Sequence, residues 1–274
     1  MRRSRLAAAL AGSAALAALG WGTPAHAAET SKVSVVHGIP GATVDVYVDG
    51  KRALDDFKPG TVAGPLDLPA GKHDLKVVAG DATDGNADAI VEANGVTVPA
   101  RKNISVVAHL DADGKPTLTP YVNDVSKLGA GHARLVVRHD AAAPAVDVRA
   151  NGKVAFSDLV NPKEAKADLP AGTIKADVVL AGTDTVAIGP ADLNLAEGTS
   201  TIVYAVGSAE KKDLTLVTQT ISGLHSAPHG VPAGFGTPAQ TAGPGTLPVA
   251  AGLAGALALV LLGGGTVRLV RARR

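Results

Sequence analysis

The chain has 274 residues, 26 basic and 25 acidic, a formal net charge of +1 and no cysteine. Thiol catalysis, thiolate metal sites and lipid attachment at a cysteine are excluded. Seven arginines sit in the two ends with no acidic residue among them, which leaves 19 basic against 25 acidic residues between, a net charge of −6; a mildly acidic body argues against nucleic acid as a partner, since phosphate binding needs a basic face.

The N-terminus opens with Arg2, Arg3 and Arg5, continues as an apolar run from Leu6 to Leu19 and reaches the small-residue triplet Ala25-His26-Ala27. That order is the one of a secretory signal peptide, so residues 1–27 are expected to form a signal helix and to be removed. The apolar run is short for crossing a hydrocarbon core of about 30 Å.

Within 28–127 the pattern is that of short strands. Val44, Val46 and Val48 alternate with Asp45, Tyr47 and Asp49, the period of a half-buried strand. Runs at Leu75 to Ala79, Ile90 to Val98 and Ile104 to Leu110 follow, separated by turn signals at Asp49-Gly50, Lys58-Pro59-Gly60, Pro69-Ala70-Gly71 and Asp113-Gly114. No stretch carries a helical period.

The stretch 128–222 repeats the first. Val33-Ser34-Val35-Val36-His37 returns as Leu135-Val136-Val137-Arg138-His139, and Val44-Asp45-Val46 returns as Val146-Asp147-Val148, both displaced by 102 positions. Leu68-Pro69-Ala70-Gly71 returns as Leu169-Pro170-Ala171-Gly172, displaced by 101, and Ile104 aligns with Ile202 and Leu118 with Leu216 at 98. The drift implies small length changes in loops, where β domains tolerate them. The expected fold is all-β: two tandem antiparallel β-sandwiches of immunoglobulin-like type, joined by a short link at 127–131 and having separate cores.

From Gly223 to Thr246 glycine and proline crowd together without alternation, as in a semi-extended stalk. Residues 247–267 then form an apolar segment, with no charge from Pro248 to Val267, long enough for one transmembrane helix. Arg268, Arg271, Arg273 and Arg274 follow, a basic tail over 268–274 that is expected on the cytoplasmic side. The layout is that of a single-pass cell-membrane protein with an extracellular ectodomain. Stalk, span and basic tail are also the layout of a sortase signal, but Leu247-Pro248-Val249-Ala250-Ala251 lacks the threonine and glycine of that motif.

The segment His37-Gly38-Ile39-Pro40, running into Val44-Asp45-Val46-Tyr47-Val48-Asp49-Gly50 with Leu68-Pro69-Ala70-Gly71 downstream, resembles the bacterial domain of unknown function 4397 family. The second copy keeps Pro144 before Val146-Asp147-Val148 but not the glycine-isoleucine-proline segment. The resemblance implies an exported β-sandwich, often in tandem, and implies no activity.

Two sets of polar residues compete for a role. His37 and Asp45 recur as His139 and Asp147; the expectation is structural, a histidine bonded at a turn and a carboxylate securing a loop. No nucleophile-elbow pattern or helical metal-histidine pair accompanies them. Asp81, Asp84, Asn86 and Asp88 share one loop and are weak calcium candidates, at a spacing unlike that of an EF-hand. No cofactor is implied. The functional expectation is a non-catalytic surface protein, an envelope spacer or weak binding module meeting a cell-envelope protein or polymer. The alternatives are a calcium- or ligand-binding receptor domain and a cryptic hydrolase.

Overall fold

The computed structural model describes residues 29–226. The expected signal helix, most of the stalk, the transmembrane helix and the basic tail lie outside them, and among the described residues no helix is long and apolar enough to cross a membrane. Those residues are all-β, as the alternation implied.

Sixteen strands form two sandwiches of eight. The first contains β1 (Thr30–His37), β2 (Val44–Val48), β3 (Lys51–Phe57), β4 (Val62–Pro69), β5 (Gly71–Ala79), β6 (Ala89–Val98), β7 (Asn103–Leu110) and β8 (Pro116–Val122). The second contains β9 (His132–Ala142), β10 (Val146–Ala150), β11 (Lys153–Leu159), β12 (Lys163–Pro170), β13 (Gly172–Leu180), β14 (Val186–Leu195), β15 (Ser200–Ser208) and β16 (Thr215–Ile221). The sheet orders are β4-β1-β7-β8 over β3-β2-β5-β6, and β12-β9-β15-β16 over β11-β10-β13-β14, the same topology written twice.

Among the described strands pairing is antiparallel with one exception per sandwich: β1 runs parallel to β7, and β9 to β15. The expectation of wholly antiparallel sheets gives way here for a topological reason. The chain crosses to the other sheet and back between β1 and β7, and a crossover is what allows two strands of one sheet to start from the same end.

Val35, Val44, Val46, Phe57, Val77 and Ala108 fill the first sandwich, with Ile39 plugging one end. Leu135, Val137, Val146, Val148, Val178 and Val203 fill the second. A third apolar cluster belongs to neither. Val36, Val107 and Tyr121 from the first copy pack on Val136, Ile202, Tyr204, Val206 and Val217 from the second. The sheets holding β1 and β9 therefore face each other, and the two sandwiches form one four-layer block. Each sandwich keeps its own core, as expected, but the third cluster joins them, so they are not independent of one another. The physical reason is visible in the strands: β7 is buried at every position but its first, so both of its faces must be covered.

Register also corrects the repeat. Val36 pairs with Val107 and Arg138 with Tyr204, so β7 and β15 are displaced by 97, not 98. A one-residue slip moves a side chain to the opposite face. Ile104 accordingly fills the first sandwich, while Ile202 lies in the contact between copies.

The segment from Lys127 to Ser226 also closes on itself. Leu128 N–H donates to Leu224 O at 2.7 Å and Ser226 N–H to Leu128 O at 3.0 Å, so the block extends past Gly223, where the stalk was expected to begin.

Candidate functional site

The repeated histidines end the first strand of each copy. His37 has no exposed surface. Its Nε2 lies 2.8 Å from Ala42 O and its Nδ1 3.3 Å from Ile39 N. A carbonyl can only accept and an amide only donate, so Nε2 carries the proton and both nitrogens are occupied. His139 repeats this with Pro144 O at 2.9 Å and Ala141 N at 3.4 Å. Burial holds both imidazoles below the ordinary value, opposed by the carbonyl each one meets. Neither ring keeps a nitrogen free to act as a general base on a substrate.

The repeated aspartates secure bulges. Asp45 Oδ1 accepts from Asp56 N at 3.0 Å, and Oδ2 from Arg52 at 3.1 Å. Asp56 has a φ of 49°, and the β2–β3 register shifts beside it. A bulge leaves a backbone N–H without a ladder partner, and the carboxylate supplies one. Asp147 does the same for Asp158, φ 52°, at 2.9 Å, and also accepts from Gly182 N at 3.0 Å. These two backbone amides hold the Asp147 carboxyl below its usual range. No hydrogen bond joins His37 to Asp45 or His139 to Asp147 among the described residues.

The acidic loop is laid down on β2. Gly85 approaches Tyr47 so closely that a Cβ there would lie 2.8 Å from the ring. Lys76 Nζ donates to Gly85 O at 2.8 Å, and Asp84 Oδ1 accepts from Asn86 N at 2.8 Å. Asp81, Asp84, Asn86 and Asp88 are all exposed. No set of three carboxylates or histidines converges as a metal site among the described residues.

A connected constellation of buried polar groups lies between the sandwiches, where sequence reasoning did not look. Arg138 is 1% exposed. Its guanidinium donates to Glu164 Oε2 at 2.9 Å, Tyr204 Oη at 2.9 Å and, across the interface, Asn123 Oδ1 at 2.8 Å. It stacks over Tyr121 of the first copy, 4.1 Å from the ring centroid. Tyr121 Oη donates to Asp140 Oδ1 at 2.6 Å, and His109 Nε2 stands 3.8 Å from the same oxygen. Asp140 Oδ2 has no protein partner. Burial pushes the Asp140 carboxyl up, while His109 and the Tyr121 hydroxyl pull it back. Gln219 Oε1 accepts from Ser105 Oγ at 2.8 Å and from Tyr204 Oη at 2.5 Å.

This cluster joins the copies rather than offering a reaction site. His109, Asp140 and Tyr204 are 0% exposed, so no substrate atom reaches them. Each cross-copy bond has a direction, and a desolvated set of such bonds fixes orientation in a way apolar contact does not. Gly38 contributes closeness: a Cβ there would meet Val206 Cγ1 of the second copy at 2.7 Å. The signal that could have found the interface was present. Ile104 to Leu110 is an unalternating run, and Arg138 and Asp140 stand beside the apolar Leu135-Val136-Val137.

No curated protein matches the chain. A family model described as Domain of unknown function (DUF4397) matches residues 31–149, the first sandwich together with β9 and most of β10, and this match supports the family resemblance carried by the His37-Gly38-Ile39-Pro40 and Val44-to-Gly50 motifs.

Proposed function

We propose that the chain is a non-catalytic, membrane-anchored cell-surface protein whose four-layer β block serves as a rigid spacer or weak binding module of the cell envelope. The second sandwich is read as a second copy of the same family, since its strand order repeats the first. Residues 1–27 direct export, 247–267 anchor the chain with the basic tail inside, and the Gly/Pro-rich segment holds the block away from the bilayer. The partner is an envelope protein or polymer met on the polar outer sheets, where β3 and β11 are mostly exposed.

The observation that carries the reading is the interface. Two sandwiches locked through Arg138, Tyr121, Asp140 and Asn123 make a stiff unit with its recurrent histidines and aspartates committed to their own backbone. Such a unit transmits position, as a spacer must. Protease added to intact, wall-stripped cells should remove the 28–246 region and leave a membrane-protected C-terminal fragment. Full protection of 28–246 would remove the surface placement.

A further inference from the structure

The two sandwiches differ inside. In the first, the space between the sheets is filled down to about 30 Å³. In the second, a cavity of about 160 Å³ remains. Register explains the difference. Val48 faces Leu75 across β2 and β5, whereas Ala150 faces Ala176 at the same place across β10 and β13. Leu66, beside Val33, likewise gives way to Ala167 beside Leu135.

The second sandwich is also less closed at one edge. In the first copy β6 packs along β8; the corresponding β14 and β16 make much less contact. Leu193 and Leu216 at that edge are only half-buried, and Ala191 and Thr218 are exposed, although all four line the cavity. The deep wall is Leu135, Val137 and Val203, all buried. Arg149, Asp177 and Asp192 also border the space, but strand alternation turns their side chains to the outer face, where Arg149 pairs with Asp177 at 2.6 Å and Asp192 with Lys175 at 2.8 Å. The interior is thus apolar, and Thr218, which alternates with the outward-facing Val217 and Gln219, sets one hydroxyl at the mouth.

We propose that this cavity between β14 and β16 of the second sandwich is a binding site for a small apolar molecule bearing one hydroxyl, of about the size of phenol. The size follows from the volume, since apolar cavities of ~150 Å³ stay dry and take up benzene or xenon. The single polar group follows from Thr218, the hydroxyl side chain at the opening. The first sandwich has no such site because Val48 and Leu75 occupy it. The inference does not depend on where the protein resides in the cell, and its failure leaves the surface placement untouched.

The test is calorimetric melting of the full chain in lipid nanodiscs with phenol added. Comparison variants are Ala176→Leu and Ala150→Val, each installing the residue of the first sandwich. Phenol partitions into lipid equally for all three, so the difference between chains reports the cavity. The midpoint of the wild-type chain should rise with phenol and reach about 5–10 °C above its phenol-free value near a hundredfold excess over Kd. Ala176→Leu should lose most of that rise. Should Ala176→Leu fail to fold, Ala150→Val, whose new side chain is one methylene shorter than leucine, carries the same comparison. No rise in the wild type, or an equal rise in both filled variants, would overturn the site.

Discussion

If the buried cluster between the sandwiches joins them energetically, removing Arg138 should be felt through Tyr121 of the other copy. Arg138→Ala deletes a guanidinium that is 1% exposed and bonded to Glu164, Tyr204 and Asn123. Breaking a buried ion pair by removing one partner costs about 3–5 kcal/mol. Glu164 is 33% exposed, so water can solvate it once Arg138 is gone, and the loss falls toward about 3 kcal/mol. For a cooperative unit of this size each kcal/mol moves the midpoint by about 2–4 °C, so a fall of about 6–12 °C is expected. Tyr121→Leu removes the ring beneath the guanidinium and the donor to Asp140. In a double-mutant cycle on residues 29–226, read by chemical denaturation, the pair should couple by about 0.5–3 kcal/mol, because the second loss has partly been suffered already. Additivity within about 0.5 kcal/mol would refute the joined interface. So would a melt with two transitions of which Arg138→Ala moves only one.

The same interface leads to a single calorimetric transition for 29–226, and to isolated 28–127 or 128–226 fragments that melt far lower or aggregate, since each would expose Val36, Val107 and Tyr121 or Ile202 and Tyr204. Asp45→Ala leaves the Asp56 amide without its acceptor and should cost about 1–3 kcal/mol, seen as a midpoint lowered with no change in the far-ultraviolet spectrum. Acid should destabilise through the two histidines. Burial lowers their folded values below 6.5, so their contribution is complete above that pH and is lost as pH falls through the lowered values. Asp140, beside His139, works in the opposite sense: its raised value gives a contribution complete below 3.8 that is lost as pH rises. Between pH 7.5 and 5 the double variant His37→Gln, His139→Gln should therefore lose less of its midpoint, or gain more, than the parent chain; an identical pH dependence would count against the assignment.

Alternation and repetition were legible in the sequence by itself. Val44-Asp45-Val46-Tyr47-Val48 reads as a strand because a pleated backbone turns every second side chain the same way, and the same five-residue pattern 102 positions later announces a second sandwich. Turn residues marked the strand ends for equally local reasons, and Asp45 was legible as a securing carboxylate because its bulge lies only 11 positions away at Asp56. What lay beyond reach was whatever joins distant residues. Ser105 meets Gln219 across 114 positions and Arg138 meets Tyr204 across 66, and no period in the chain encodes such a meeting. The displacement of 97 rather than 98 at β7 is decided by hydrogen-bonded register, which strand pattern leaves free by one residue. The difference between a filled and an open sandwich is likewise tertiary. Ala150 and Ala176 look like ordinary strand alanines until β10 and β13 set them side by side, where two missing side chains add up to one cavity.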